Sequence, residues 1–197
     1  GYRDTSFKGY SSDPELAGGR QTLEETGNFL SRQRRLRDYG TKNTVLRGEV
    51  SGKLNTGSIT HHVLVGADWD KFELDLLQYR YRPPNYTAGA PILQANNAIN
   101  IFNPVYGQLP VLGAAPIQDI DQVQKAWGVY FQDQIDIGDR IKLRLGGRYD
   151  NFKQTTGTQV VVKKRFSPTA GALFEITDTL SIYGGYGEGF RPNSGAN

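Results

Sequence analysis

Between Arg140 and Asp150 the side chains alternate without a break. Odd positions carry Ile141, Leu143, Leu145, Gly147 and Tyr149, and even positions carry Arg140, Lys142, Arg144, Gly146, Arg148 and Asp150. Successive side chains on a strand point to opposite faces, so this stretch predicts a strand with one apolar and one charged face. The preceding segment repeats the pattern. Val123, Trp127, Val129, Phe131, Ile135 and Ile137 share a face opposite Gln124, Gly128, Tyr130, Gln132, Gln134 and Asp136, with Lys125 and Asp133 as polar exceptions on the apolar side. Ile59, Val63, Val65, Ala67 and Trp69 do the same against Thr60, His62, Gly66, Asp68 and Asp70. Weaker strands are predicted over Thr44–Leu54, Phe166–Ile176 and Leu180–Phe190, and a seventh in the first eight residues. Pro168 weakens one of these, because proline removes a ladder donor.

The connections carry equal information. Asn55-Thr56-Gly57, Gly138-Asp139 and Thr177-Asp178-Thr179 have the residues of tight turns. Longer links are expected over Gly9–Gly27, Tyr79–Gln122 and Lys153–Lys163. Long and short connections therefore alternate, as in up-and-down membrane barrels with short turns at one end. A soluble sandwich has no reason to gather its short turns in that way. No apolar run approaches the ~18 residues of a transmembrane helix, which excludes a helical membrane protein and leaves a β-barrel open. Trp69, Trp127, Tyr149 and Tyr186 lie on apolar faces toward the long-link ends, where an interfacial aromatic girdle belongs.

Chemistry is sparse. The chain has no Cys, so disulfides and thiolate chemistry are excluded, and its net charge of +3 is too mild to argue for nucleic acid. His61 and His62 are its only histidines. As neighbours on a strand they point apart, which argues against a shared metal. Asp68 and Asp70 share a face, and solvated wall carboxylates account for them better than calcium or acid–base work. The glycine-rich Gly184–Gly189 follows a strand without opening a helix, so it fails the test for a phosphate loop. Arg32, Arg34, Arg35 and Arg37 are either an attractor for an anionic ligand or lipopolysaccharide phosphate, or a solvated strand end. Lys142, Arg144 and Arg148 are expected to pair with acids across the lumen or on a plug. No catalytic set and no metal set is found, and the expectation is a protein that is not an enzyme.

Several phrases occur in a fixed succession. Gly128-Val129-Tyr130-Phe131-Gln132-Asp133-Gln134-Ile135 precedes Leu145-Gly146-Gly147-Arg148-Tyr149-Asp150, then Phe166-Ser167-Pro168-Thr169-Ala170-Gly171, then Leu180 through Pro192. His61 to Asp68 and Phe102-Asn103-Pro104-Val105-Tyr106-Gly107 come earlier in the chain. This ordered set, from Arg35 to Asn193, resembles the barrel of TonB-dependent ferric-siderophore receptors. The resemblance implies an all-β fold: part of an antiparallel up-and-down transmembrane β-barrel, with about seven strands of a ~22-strand wall. Residues 1–197 are expected to be an internal stretch of that barrel domain, with the plug domain absent.

The resemblance further implies a receptor of the bacterial outer membrane that transports ferric siderophores and is energised through TonB. The iron would be carried as the ferric-siderophore substrate, with no cofactor of the protein's own. Its implied partners are the ferric siderophore, TonB, the receptor's own plug domain, and outer-membrane lipid and lipopolysaccharide. A passive porin- or adhesin-type barrel is the alternative, and a soluble all-β binding domain a third reading. Ligand contact is expected in the long link, through Tyr79, Arg80, Tyr81, Arg82, Tyr86, Phe102 and Tyr106, since aromatic and arginine side chains offer rigid area, donors and positive charge to an electron-rich chelate. For Phe102 and Tyr106 the favoured reading is a packed hydrophobic tie holding the loop to the rim, ahead of ligand contact.

Overall fold

The computed structural model describes residues 1–14, 28–30, 32–82, 98–107 and 111–192. Among them every regular element is a strand: β1 (Tyr2–Pro14), β2 (Phe29–Leu30), β3 (Arg32–Thr56), β4 (Ile59–Tyr81), β5 (Ile99–Asn100), β6 (Gln118–Ile137), β7 (Ile141–Thr156), β8 (Gln159–Thr177) and β9 (Leu180–Gly187). Seven strands form one antiparallel sheet in the order β1-β3-β4-β6-β7-β8-β9. That is chain order once the short β2–β5 pair is set aside, so the connectivity is up-and-down. The predicted seven strands and three tight turns are present. The turns at Gly57 and Gly138 rest on glycines with φ of 65° and 58°, a left-handed conformation that side chains with a Cβ adopt only under strain.

The predicted long links are shorter than expected. β1 continues through Gly9 to Pro14, β4 ends at Tyr81, and β6 begins at Gln118. The stretch Lys153–Lys163 is not a loop. β7 and β8 pair through Thr156↔Gln159 around a two-residue turn at Gly157, whose φ is 55°. The run Val160-Val161-Val162 supplies β-branched residues that suit a strand, and Gly157 alone marks the turn.

Two compact units divide the chain. One comprises Gly1–Asp4, Lys42–Glu73 and Gln122–Asn197, the other Thr5–Thr41 and Leu74–Asp121. In the first unit the register fixes the faces. Val129 lies opposite Tyr149 and Tyr149 opposite Phe166, while Tyr130 lies opposite Arg148 and Arg148 opposite Ser167. The apolar face is uncovered: Val129, Phe131, Leu145 and Phe166 are 47%, 50%, 47% and 52% exposed. A water-facing sheet with this row of apolar side chains would be an aggregation surface. Hydrocarbon is the medium that accepts it. Trp127 and Tyr149 pack with ring centroids 5.7 Å apart, where the girdle is expected.

Two anomalies of the pattern, Asp133 and Pro168, have structural accounts. Asp133, on the apolar face, pairs with His61 at 2.7 Å, so two polar side chains share that face as one unit. Pro168 accepts a hydrogen bond at its carbonyl from Glu188 N at 3.0 Å. N–H and C=O of one residue point the same way across a strand. The missing donor therefore faces the β9 side at the point where pairing ends, at Thr169↔Gly187, so the proline forgoes only one bond at the end of a ladder.

Candidate functional site

The charged face of the first unit carries a side-chain network spanning β3, β4, β6 and β7. Arg148 donates from Nη1 and Nη2 to the two carboxylate oxygens of Asp68 at 2.6 and 2.7 Å, and from Nε to Asp150 at 2.7 Å. β6 lies between β7 and β4 in the sheet, so Arg148 reaches across a whole strand. Glycine makes this possible: a Cβ built on Gly128 would collide with the Arg148 guanidinium, and one built on Gly66 with the Tyr130 ring. Tyr130 fills the space that Gly66 leaves. Its hydroxyl donates to Glu49 at 2.7 Å and accepts from Arg47 Nε at 3.0 Å. Arg47 and Arg148 both approach the ring, 5.7 and 5.3 Å from its centroid.

The network borders an open cavity of about 540 Å³ with Arg144, Ser167, Thr169 and Phe190 on its other sides. Arg144 donates to Gln132. Lys142 lies 3.7 Å from Glu175, and Arg165 2.6 Å from Glu188. The expected row Lys142, Arg144, Arg148 thus pairs largely within its own wall. Asp68, expected to be solvated, is instead held in a bidentate pair. Residue spacing missed Arg47, Glu49 and Tyr130 as members. The legible signal was two glycines, Gly66 and Gly128, on the same face as a lone tyrosine.

His61 and His62 each take their own carboxylate, Asp133 at 2.7 Å and Asp136 at 3.1 Å. Among the described residues no group of three or more His, Cys, Asp or Glu side chains gathers to hold a metal.

The expected ligand contacts lie in the second unit. Tyr79, Arg80 and Tyr81 belong to β4 rather than to a loop, and Arg82 follows it. Strand geometry turns Tyr79 and Tyr81 to one face and Arg80 to the other, so the cluster is divided between two faces. Partial burial pushes the Tyr81 phenol above its ordinary value. Ile117 N donates to Gln78 O at 2.7 Å, laying the start of β6 along this end of β4. Tyr86 lies outside the described residues. Phe102 and Tyr106 are 79% and 76% exposed, so they are not a packed tie. Ala98 and Ile99 are the buried pair instead. The Asn100 carboxamide accepts from Phe102 N and Asn103 N at 2.9 and 3.0 Å, turning the chain after β5. In the same unit the Arg34 guanidinium sits 5.2 Å from the centre of the Tyr10 ring and Arg35 donates to Gln33 at 2.8 Å, so Arg34 and Arg35 both have intramolecular partners.

A wall apolar on one face, arginine-rich on the other and connected up-and-down defines a barrel-type outer-membrane protein. The sequence family described as TonB dependent receptor-like, beta-barrel matches residues 1–197, and the chain belongs to it. It is similar to the metal-pseudopaline receptor CntO of Pseudomonas aeruginosa, 26% identical over 98% of this chain and 27% of that protein. It is also similar to the ferrichrome outer membrane transporter/phage receptor of Escherichia coli, 27% identical over 94% and 25%. The solved ferripyoverdine receptor of the Pseudomonas aeruginosa outer membrane superposes with a TM-score of 0.70 at 19% identity, covering 94% of this chain and 23% of that one. The chain therefore spans about a quarter of the length of these relatives. The family consists of transport receptors of the Gram-negative outer membrane rather than enzymes, and that membrane is where this wall resides. Membership does not favour the passive porin or adhesin alternative.

Proposed function

We propose that this chain is wall from a receptor that captures a ferric siderophore at the cell surface and admits it when TonB acts on a plug inside the barrel. The observation that carries the reading is the match of the receptor-barrel family to all 197 residues, joined to a wall whose charged face is built for a polar interior. Relatives named for metal-pseudopaline and ferrichrome support a metal chelate as the ligand class. Iron enters as cargo within its chelator, and the protein makes or breaks no covalent bond. First contact falls to aromatic and arginine side chains of the second unit: half-buried Tyr79 and Tyr81 with exposed Arg82 at the end of β4, and exposed Phe102 and Tyr106 beyond β5. Arg80 is turned to the opposite face. The network around Arg148 holds the wall's shape beside the passage.

The test is uptake of radiolabelled ferric siderophores by cells whose only such receptor carries this sequence, with and without TonB. Uptake of at least one siderophore that disappears without TonB supports the reading. Diffusive entry of small solutes that is indifferent to TonB contradicts it.

A further inference from the structure

Three arginines border the open cavity on the polar face of the first unit: Arg47, Arg144 and Arg148. Arg47 pairs with Glu49, and Arg148 with Asp68 and Asp150. The remaining acid on the cavity, Glu188, takes Arg165. Arg144 differs. It donates to the neutral amide of Gln132, and no carboxylate among the described residues lies within ion-pair distance of it. The cavity therefore carries one guanidinium whose charge is not met by an acid of its own.

The register says which groups stand beside it. Gln132 lies opposite Gly146, so Arg144 leans along β7 toward that glycine. On the other side Gly146 lies opposite Thr169, whose hydroxyl stands over it: a Cβ built on Gly146 would meet Thr169 Oγ1 at 3.0 Å. Ser167 follows on the same face of β8 and also lines the cavity. It is 5% exposed, and its hydroxyl has no partner among the described residues. Buried hydroxyls are nearly always bonded, so an unpartnered one at a cavity wall points to a polar ligand. Arg144 stands six residues along β7 from Gly138. At ~3.3 Å per residue and a tilt of ~40°, that is roughly 15 Å from the short turns, within the membrane-spanning part of the wall.

We propose that Arg144, Thr169 and Ser167 seat a carboxylate of the passing chelate, and that the cargo is a ferric polycarboxylate. Arg144 keeps donors beyond the one given to Gln132, and a guanidinium binds a carboxylate through two parallel bonds. The hydroxyls of Thr169 and Ser167 donate to the same oxygens. A polycarboxylate chelator keeps carboxylates free of the metal, whereas a trihydroxamate spends its anionic oxygens on the iron. At about 540 Å³ the cavity has the size of a small-ligand site. The seat lies inside the wall, apart from the first-contact surface of the second unit. It rests on the receptor reading given above and deepens it by naming the chemical class of the cargo.

The experiment measures uptake of radiolabelled iron by cells whose only such receptor carries this sequence. The iron is supplied as ferric citrate, as ferric rhizoferrin, or as the trihydroxamate ferrioxamine B. TonB-dependent uptake of at least one of the two polycarboxylates is expected. Arg144→Gln should lower its initial rate about tenfold and Ser167→Ala about threefold, while binding to unenergised cells stays within about twofold. Arg144→Lys keeps the charge but not the fork, and should hold the rate within about threefold of the parent. Lys142→Gln, which removes a cation already beside Glu175, should leave uptake unchanged. Heat-modifiable gel mobility reports that each variant folds. A folded Arg144→Gln receptor whose polycarboxylate uptake stays within about twofold of the parent overturns the seat. So does an equal fall for a polycarboxylate and ferrioxamine B, which assigns Arg144 to holding the wall or the plug. TonB-dependent uptake of ferrioxamine B alone overturns the polycarboxylate class and leaves the receptor reading standing. TonB-dependent uptake of none of the three removes both.

Discussion

The bond from Arg148 to Asp68 across β6 offers a quantitative test of how this wall is held. Two charge-assisted bonds of 2.6 and 2.7 Å join the pair, and a third at 2.7 Å ties Arg148 to Asp150. A charge-assisted bond contributes about 1.5–3 kcal/mol when water is excluded. Here the side chains of Arg148 and Asp68 remain 36% and 28% exposed, and solvent competition lowers the figure to about 1 kcal/mol per bond. Arg148→Met should therefore destabilise the barrel by about 2–3 kcal/mol, since Asp150, only 14% exposed, also loses its partner. Asp68→Asn should give a smaller loss, and the double variant should reveal a coupling of about 1.5–2 kcal/mol. Gly128→Val should mimic the loss of Arg148 in the parent, because its Cβ invades the guanidinium's place, and should be close to neutral in the Arg148→Met background. The assay is the denaturant midpoint of the receptor refolded into lipid vesicles. Additive single variants, with coupling under about 0.5 kcal/mol, would refute a bridge that spans a strand. So would a Gly128→Val loss of equal size in both backgrounds.

Other consequences are open to measurement. Phe131→Arg should destabilise insertion by roughly 2–4 kcal/mol, because residue 131 faces the hydrocarbon inside the aromatic edge set by Trp127 and Tyr149, whereas Gln132→Arg on the other face should fold normally; reversed vesicle-refolding yields contradict the face assignment. His61→Leu or Asp133→Leu alone should each destabilise by about 1–3 kcal/mol, by leaving one polar partner on the lipid-facing side, while the double variant should recover most of that loss; no recovery in its denaturant midpoint contradicts the pairing. Partial burial raises the Tyr81 phenol above its ordinary value of 10.0. The stability linked to its neutral form is then fully present below pH 10 and lost as pH climbs through the raised value. The ultraviolet phenolate signal that disappears in Tyr81→Phe should accordingly develop later than that of free tyrosine.

Much of the wall was legible from residue order alone. Period-two alternation from Arg140 to Asp150 is a local property, and a strand is the one structure that keeps it coherent. The turns at Gly57 and Gly138 announced themselves through glycine beside Asn, Thr or Asp. The Lys153–Lys163 segment misled because Thr and Gly surround its turn and its lysines break the alternation, although Val160 to Val162 favour a strand. The Arg148 network was only half legible. Sequence assigned Arg148 to the polar face, but choosing Asp68 as its partner required knowing that β6 intervenes and that Gly128 leaves the path open. The aromatic and arginine cluster at Tyr79 to Arg82 resembles one loop surface in residue order, whereas the length of β4 divides it between two faces. Phe102 and Tyr106 look like core residues in composition, and only the folded chain shows them exposed.

The account stands on which face of β7 meets lipid, and neighbouring residues decide it. Single cysteines at 143 and 144, in the receptor reconstituted in vesicles and labelled with a fluorophore, can be probed with a quencher confined to the bilayer. Leu143 shares the apolar face and Arg144 the cavity face beside Gln132. Strong quenching at 143 with little at 144 is the predicted result. Strong quenching at 144 with 143 untouched would contradict the membrane orientation and the receptor reading built on it.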